Sequence, residues 1–218
     1  MPNRGTGHNK SKAGEPERIE SVGGARNQIE RPPIVVIDAC VWHGAFARHV
    51  IRHVALQGLL RLRWTRSIEA EWLRSIRNAR PDIPITRLVD VREQFRREFP
   101  EGLLPERLPR ERLPPLPDPD DAHVVHAALQ SKASFICTVD RRGFPRSTMK
   151  ALGIAAITPD ALVTKLLQQQ AHAAVRALRT HRLGLNTPAM SAAEYIGALR
   201  KAGLPRSARH LKQHIHDL

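Results

Sequence analysis

The run Ile34-Val35-Val36-Ile37, followed at once by Asp38, constrains this chain more than any other stretch. Four β-branched residues are too few for a helix but suit a strand covered on both faces, the pattern of a parallel sheet. The carboxylate then stands where the buried strand surfaces. A second copy of the arrangement occurs at Phe135-Ile136-Cys137-Thr138-Val139-Asp140, followed by the polar turn Arg141-Arg142-Gly143. Sites in open parallel sheets form outside the carboxyl ends of the strands, so the two acids converge if these strands are neighbours.

Helical and strand patterns alternate between the two copies and beyond them. Val41 to Gln57 has near-helical apolar spacing and stops at Gly58; Leu59 to Trp64 reads as a short strand. Helices are expected over 66–79 and 85–98, with a further strand at Ile154–Ile157. Pro100 to Pro117 is proline-rich and interleaved with Arg107, Arg110 and Arg112, which predicts an extended loop. From about 160 onward the pattern is helical, including a Ser191/Glu194 capping box, with nine lysines and arginines against three acids. Residues 1–31 are polar and aperiodic and read as a disordered basic tail. The expected organisation is therefore a tail over 1–31, an α/β domain over 32–159 and a basic helical extension over 160–218.

Two further acidic stretches belong to the same logic. In Asp118-Pro119-Asp120-Asp121, Asp118 is a natural N-cap with proline at the first helical position, and first-turn acids suit the helix dipole without any chemistry. Helical phase nevertheless puts Asp121 on the side of Val125 and Ala128, which must pack on the sheet, while His123 and His126 point away. On helix 66–79 both Glu69 and Glu71 flank the apolar stripe of Ile68, Trp72 and Ile76, and phase does not choose between them.

Carboxylates gathered in a half-buried place repel one another unless a hard divalent cation, Mg²⁺ or Mn²⁺, offsets them. The rest of the chain has the opposite sign, with 35 Lys and Arg against 21 Asp and Glu and a net charge of +14. Such a surface collects a polyanion, nucleic acid first, and an aromatic content of 4% excludes base stacking as its main mode. Acids for chemistry on a basic protein suit metal-assisted phosphodiester hydrolysis. No apolar run is long enough for a membrane span, so a cytoplasmic protein without a membrane partner is expected. Cys40 and Cys137 make neither a disulfide framework nor a zinc set. The pairs His49/His53 and His210/His214 lack the glutamate of a metalloprotease motif and read as solvent-facing, and Trp42, Trp64 and Trp72 read as core or dimer surface.

Taken in order, Val36-Ile37-Asp38-Ala39-Cys40, Trp64 to Glu71, Asp118-Pro119-Asp120-Asp121-Ala122-His123-Val124 and Cys137-Thr138-Val139-Asp140 resemble the PIN-domain ribonucleases, most closely the VapC-type toxins of toxin–antitoxin pairs. The resemblance covers residues 33 to 160 and implies a three-layer α/β/α fold around a mostly parallel sheet. It further implies Asp38, Glu71, Asp121 and Asp140 as the acidic set, with Asp38, Asp121 and Asp140 on the metal and Glu71 preferred to Glu69. Thr138, Asp118 and Asp120 take supporting places, and Arg107, Arg110, Arg141 and Arg142 are expected to meet RNA. Mg²⁺-dependent cleavage of tRNA or rRNA, a homodimer and an inhibiting antitoxin follow from the same likeness. Cys40 departs from the family, which has Asn, Ser or Thr two residues after the first Asp; a degenerate, non-catalytic RNA-binding scaffold is the alternative that this departure raises.

Overall fold

The computed structural model describes residues 1–2, 31–106, 112–185 and 189–218. Residues 3–30 of the expected tail, Arg107 and Arg110 lie outside the described residues. Pro32 to Leu218 form one compact unit.

Its centre is an all-parallel four-stranded sheet of β1 (Ile34–Ile37), β2 (Arg61–Arg63), β3 (Phe135–Cys137) and β4 (Ala155–Ile157), in the order β2-β1-β3-β4. Val35, Val36 and Ile37 are buried, as a strand covered on both faces requires. From β1 the chain moves one way, through α1 (Ala45–Leu56), to β2; it then crosses back to β3 and onward to β4. Parallel crossovers are right-handed, so this reversal puts α1 on one face of the sheet. The later crossover helices, α4 (Ala122–Ser131) and α5 (Arg146–Ala151), fall on the other. α4 does lie across β1, β2 and β3, giving the expected α/β/α sandwich. The switch point lies between β1 and β3, where Ile37 is registered with Cys137 and the Asp38 amide donates to the Cys137 carbonyl at 3.0 Å. Asp38 and Asp140 are thereby brought to one crevice.

The ends of elements differ from expectation in instructive places. The helix expected from Val41 is broken at Gly44 into a 3₁₀ turn, Ala39–His43, and α1. β3 stops at Cys137, short of the expected Val139; the Thr138 amide still donates to the Ile157 carbonyl at 2.9 Å, while its hydroxyl serves the acids on either side. α2 (Arg66–Ala79) and α3 (Ile85–Glu98) form as expected. Trp42, Trp64 and Trp72 are core residues, packed with Phe95 at centroid distances of 4.5–6.3 Å. Beyond β2 the loop adds a short pairing: Trp64 N–H donates to the Gly102 carbonyl at 3.0 Å and Leu104 N–H to the Trp64 carbonyl at 2.8 Å. Only glycine fits at 102, since a β-carbon there would overlap the Trp64 indole.

The helices after β4 are α6 (Pro159–Gln169), α7 (Ala171–Leu183), α8 (Ala192–Lys201) and α9 (Pro205–Leu211). Thr158 caps α6, and Ser191 with Glu194 forms the capping box that opens α8. α6 and α7 pack on α1, and α9 packs on both α6 and α8. This covering explains why His49 and His53 are half-buried and not the solvent-facing pair that their spacing suggests. Both rings meet the buried His181 of α7, with centroids at 6.4 and 4.6 Å, and His181 Nδ1 lies 2.7 Å from the Tyr195 hydroxyl.

Burial lowers the pKa of His49 to about 4 and of His181 to about 3, and lowers that of His53 as well, with Arg52 adding to the effect on all three. A base whose folded pKa lies below its unfolded value of about 6.5 contributes stability above that pH and loses it as the pH falls. The α1–α7 junction should weaken between pH 6.5 and 4, His181 alone accounting for about 2 kcal/mol at pH 5. Thermal melts of the protein and its His181→Gln variant should show the variant's deficit shrinking from pH 7.5 to pH 5. A constant deficit would mean that His181 titrates alike folded and unfolded.

Candidate active site

Asp38 is nearly buried at the end of β1, and only one of its oxygens is held. Its Oδ2 accepts from the Thr138 hydroxyl at 2.6 Å and from the Cys40 thiol at 2.9 Å. Among the described residues no donor meets Oδ1, which is left to face the crevice. Thr138 also accepts from the Asp140 amide at 3.0 Å, so one buried hydroxyl ties the two strand-end acids together. Cys40 does not leave Asp38 loose. Its sulfur donates to the carboxylate and accepts from the Val139 amide at 3.3 Å, and burial beside Asp38 pushes the thiol up to about 11, which keeps it protonated as a donor.

Asp140 is exposed, and its Oδ1 accepts from the Arg142 amide at 3.0 Å, an Asx-type turn. Asp118 caps the turn Pro119–Asp121 through the Asp120 amide at 2.9 Å, and Asp120 is exposed. Asp121 makes no cap. Its half-buried carboxylate has no hydrogen-bond donor among the described residues. Burial, then the fields of Asp38, Asp118, Asp140 and Glu71, push its pKa up to about 6. The charges of Asp38, Asp140 and Glu71, the other acids of the expected set, all reach this one carboxylate.

The glutamates of α2 are separated by their partners. Glu69 is buried, accepts from the Trp64 indole N–H at 2.8 Å and is gripped by the Arg96 guanidinium of α3, so it fastens helix to helix. Glu71, two residues on, is half-buried and faces the crevice; burial and the Asp38 charge raise its pKa, against the opposing pull of His123 and Arg74. His123, which phase turns away from the sheet, has a neighbour there that the sequence did not show. Its Nε2 lies 3.2 Å from Glu71 Oε2, and its Nδ1 is 2.7 Å from the Asp120 carbonyl. The α4 phase angle puts it on the polar face, and only the position of α2 shows that this face borders the acids.

Gly143 was visible in the sequence only as a turn residue. A β-carbon at this position would overlap the Asp121 carboxylate, so the backbone after Asp140 lies directly against Asp121. Arg141 and Arg142 are exposed on that same turn.

The donor set is all carboxylate oxygen, the kind preferred by a small, hard divalent ion, and it carries more negative charge than its neighbours neutralise. Unpaired oxygens on Asp38 and Asp121 are what such an ion would need. Among the described residues no three His, Cys, Asp or Glu side chains stand close enough together to hold a metal ion as they are placed. The residues fit the ion in kind and charge, and the acids would have to draw closer around it.

A family model described as PIN domain matches residues 34–142, half of the chain. A second, described as VapC50 C-terminal domain, matches residues 159–213, from the first turn of α6 to just past α9. No curated protein and no solved structure matches the chain.

Proposed function

Since the chain belongs to the PIN-domain family, as a VapC-type nuclease toxin with a VapC50-type carboxyl-terminal domain, we propose that it is an Mg²⁺- or Mn²⁺-dependent endoribonuclease that cuts tRNA or rRNA. The observation that carries this reading is Asp121: a carboxylate without a donor, crowded by four other acids and pushed up to about 6. Such a group is out of place unless a cation joins it.

When bound, the divalent ion lowers the pKa of a water and offsets charge on the phosphoryl group. The chain's own residues do the rest. Thr138 and Cys40 fix Asp38 Oδ2 and so turn Oδ1 toward the crevice. Asp121 and Asp140 approach from α4 and β3, and the close seat of Gly143 keeps Asp121 from swinging outward. Glu71, with a raised pKa and His123 beside it, is placed to orient the attacking water and take its proton. Arg141 and Arg142 flank the acids where the phosphate backbone would enter. Arg107 and Arg110 are proposed to join them, and residues 1–31, 32–159 and 160–218 are proposed as tail, nuclease domain and helical extension. A cognate antitoxin restrains the enzyme, which acts in the cytoplasm as a homodimer. Among the described residues no helix is long and apolar enough to cross a membrane.

Brief expression followed by sequencing of cellular RNA ends tests the reading. Discrete cuts with 5′-phosphate and 3′-hydroxyl termini are expected, concentrated in one or a few tRNA or rRNA positions. RNA left uncut by chain that is folded and loaded with Mn²⁺ would exclude it.

A further inference from the structure

A cavity of about 510 Å³ opens beside β4 and α5, away from the crevice but joined to it by the turn after Asp140. Its floor is apolar, made by Phe144, Met149 and Ile154, and its rim carries Arg141, Arg146 and Lys150. All three cations are exposed, and no Asp or Glu lines the cavity. Among the described residues none of the three pairs with a carboxylate. Arg146 and Lys150 are four apart on α5 and share one face of it. Three unpaired cations around an apolar floor repel one another, and an anion with a flat or apolar body relieves that repulsion.

The position of the groove says which anion. Arg141 follows Asp140 directly, and the backbone at Gly143 lies against Asp121, so the segment that carries Asp140 and seats Asp121 also carries the rim. A strand whose phosphate is held at the acids passes next over this groove. Its volume lies within the range of pockets that take a small organic ligand, which includes one nucleotide. The Phe144 ring is almost fully covered and offers no open face to stack on, and the Ser134 hydroxyl is the one side-chain acceptor among the lining residues, too little to read a base edge.

Resting on the ribonuclease reading above, we propose that Arg141, Arg146 and Lys150 form a phosphate-binding subsite for the RNA strand that flanks the scissile bond. It holds the backbone without reading the base, so it sets affinity and leaves the choice of cut site to other parts of the protein.

The test uses the full chain carrying Asp38→Asn, which binds without cutting, and a fluorescent single-stranded uridine oligomer titrated over a range of salt. Adding Arg146→Ala and Lys150→Ala together should weaken binding and flatten the plot of log affinity against log salt by about 1.4, roughly 0.7 for each phosphate of a single strand that is no longer neutralised. Arg146→Lys should keep the slope, and unchanged melting temperatures establish that the surface variants are folded. In the cutting-competent chain the double substitution should lower kcat/KM and leave cut positions where they were. An unchanged slope, or cut positions that move, overturns the proposal. Loss of binding to a fluorescent hexaglutamate peptide with the RNA slope intact would assign the groove to an acidic protein segment and also overturn it. If the parent chain cuts no RNA but the slope still falls, the nuclease reading fails and the phosphate subsite stands.

Discussion

Replacing Asp121 by Asn is expected to reduce RNA cleavage by on the order of 10²-fold or more and, in the same protein without divalent metal, to raise the melting temperature at pH 7.5. The first effect follows because charge stabilisation by the ion is worth several kcal/mol, and each 1.36 kcal/mol is tenfold in rate. The second comes from the same crowding. Asp121 has its pKa pushed up to about 6 by burial and by Asp38, Asp118, Asp140 and Glu71. An acid whose folded pKa lies above its unfolded value of about 3.9 loses stability as the pH rises through the folded pKa. At pH 7.5 the charged Asp121 is therefore a cost of about 1 kcal/mol after solvent screening of a half-exposed group, and relieving it should raise the midpoint by roughly 2–4 °C. The gain should vanish near pH 4, where the native carboxyl is already protonated. Added Mg²⁺ should raise the midpoint of the parent more than that of the variant, because an ion that binds only the folded state stabilises it. A midpoint that drops at pH 7.5 would make Asp121 a structural residue and remove it from the metal set.

The second large effect lies far from the acids. Asp160, in the first turn of α6, is nearly buried and spans to the start of α9, a separation of 47 residues in sequence. Its Oδ1 accepts from the Ser207 amide and the Ser207 hydroxyl, each at 2.8 Å, and its Oδ2 from the Arg206 amide at 3.0 Å. Two first-turn donors of α9, which have no partner within their own helix, are thus met by a carboxylate from another. Asp160→Ala leaves both amides without an acceptor, although the Ser207 hydroxyl keeps the residue-160 carbonyl at 3.0 Å and the Thr164 hydroxyl at 3.2 Å, and should cost about 3 kcal/mol. Chemical denaturation should show the loss, and limited proteolysis should cut first around α9. Ser207→Ala, which removes only the hydroxyl, should cost about 1 kcal/mol. Equal losses in the two variants would mean that Asp160 contributes packing and not capping. RNA cleavage by Asp160→Ala below its melting point should persist, since the residue touches none of the acids.

Local patterns are where the amino-acid sequence was readable. β1 and β3 announce themselves as short β-branched or apolar runs with an acid after them, and the Ser191/Glu194 box and the Asp118 cap form where their spacing says. These features depend on bonds within a few residues, so order along the chain is enough to specify them.

Side and neighbour are different quantities. Glu69 and Glu71 border the same apolar stripe, and what separates them is the Trp64 indole and the Arg96 guanidinium, brought to Glu69 by the packing of β2 and α3. His49 and His53 have the spacing of a solvent-facing pair until α7 covers them. The Thr138 hydroxyl bonds Asp38 across 100 residues, Cys40 proves to be a donor to that same carboxylate, and Gly143 seats Asp121. The sequence by itself determined that this chain would be an α/β protein with acids at the ends of buried strands and a basic exterior, since periodicity and charge are carried residue by residue. Only the tertiary structure decided which acids share a crevice, which glutamate is fastened elsewhere and which cations line a groove beside them, because those outcomes depend on contacts between segments that no local rule encodes.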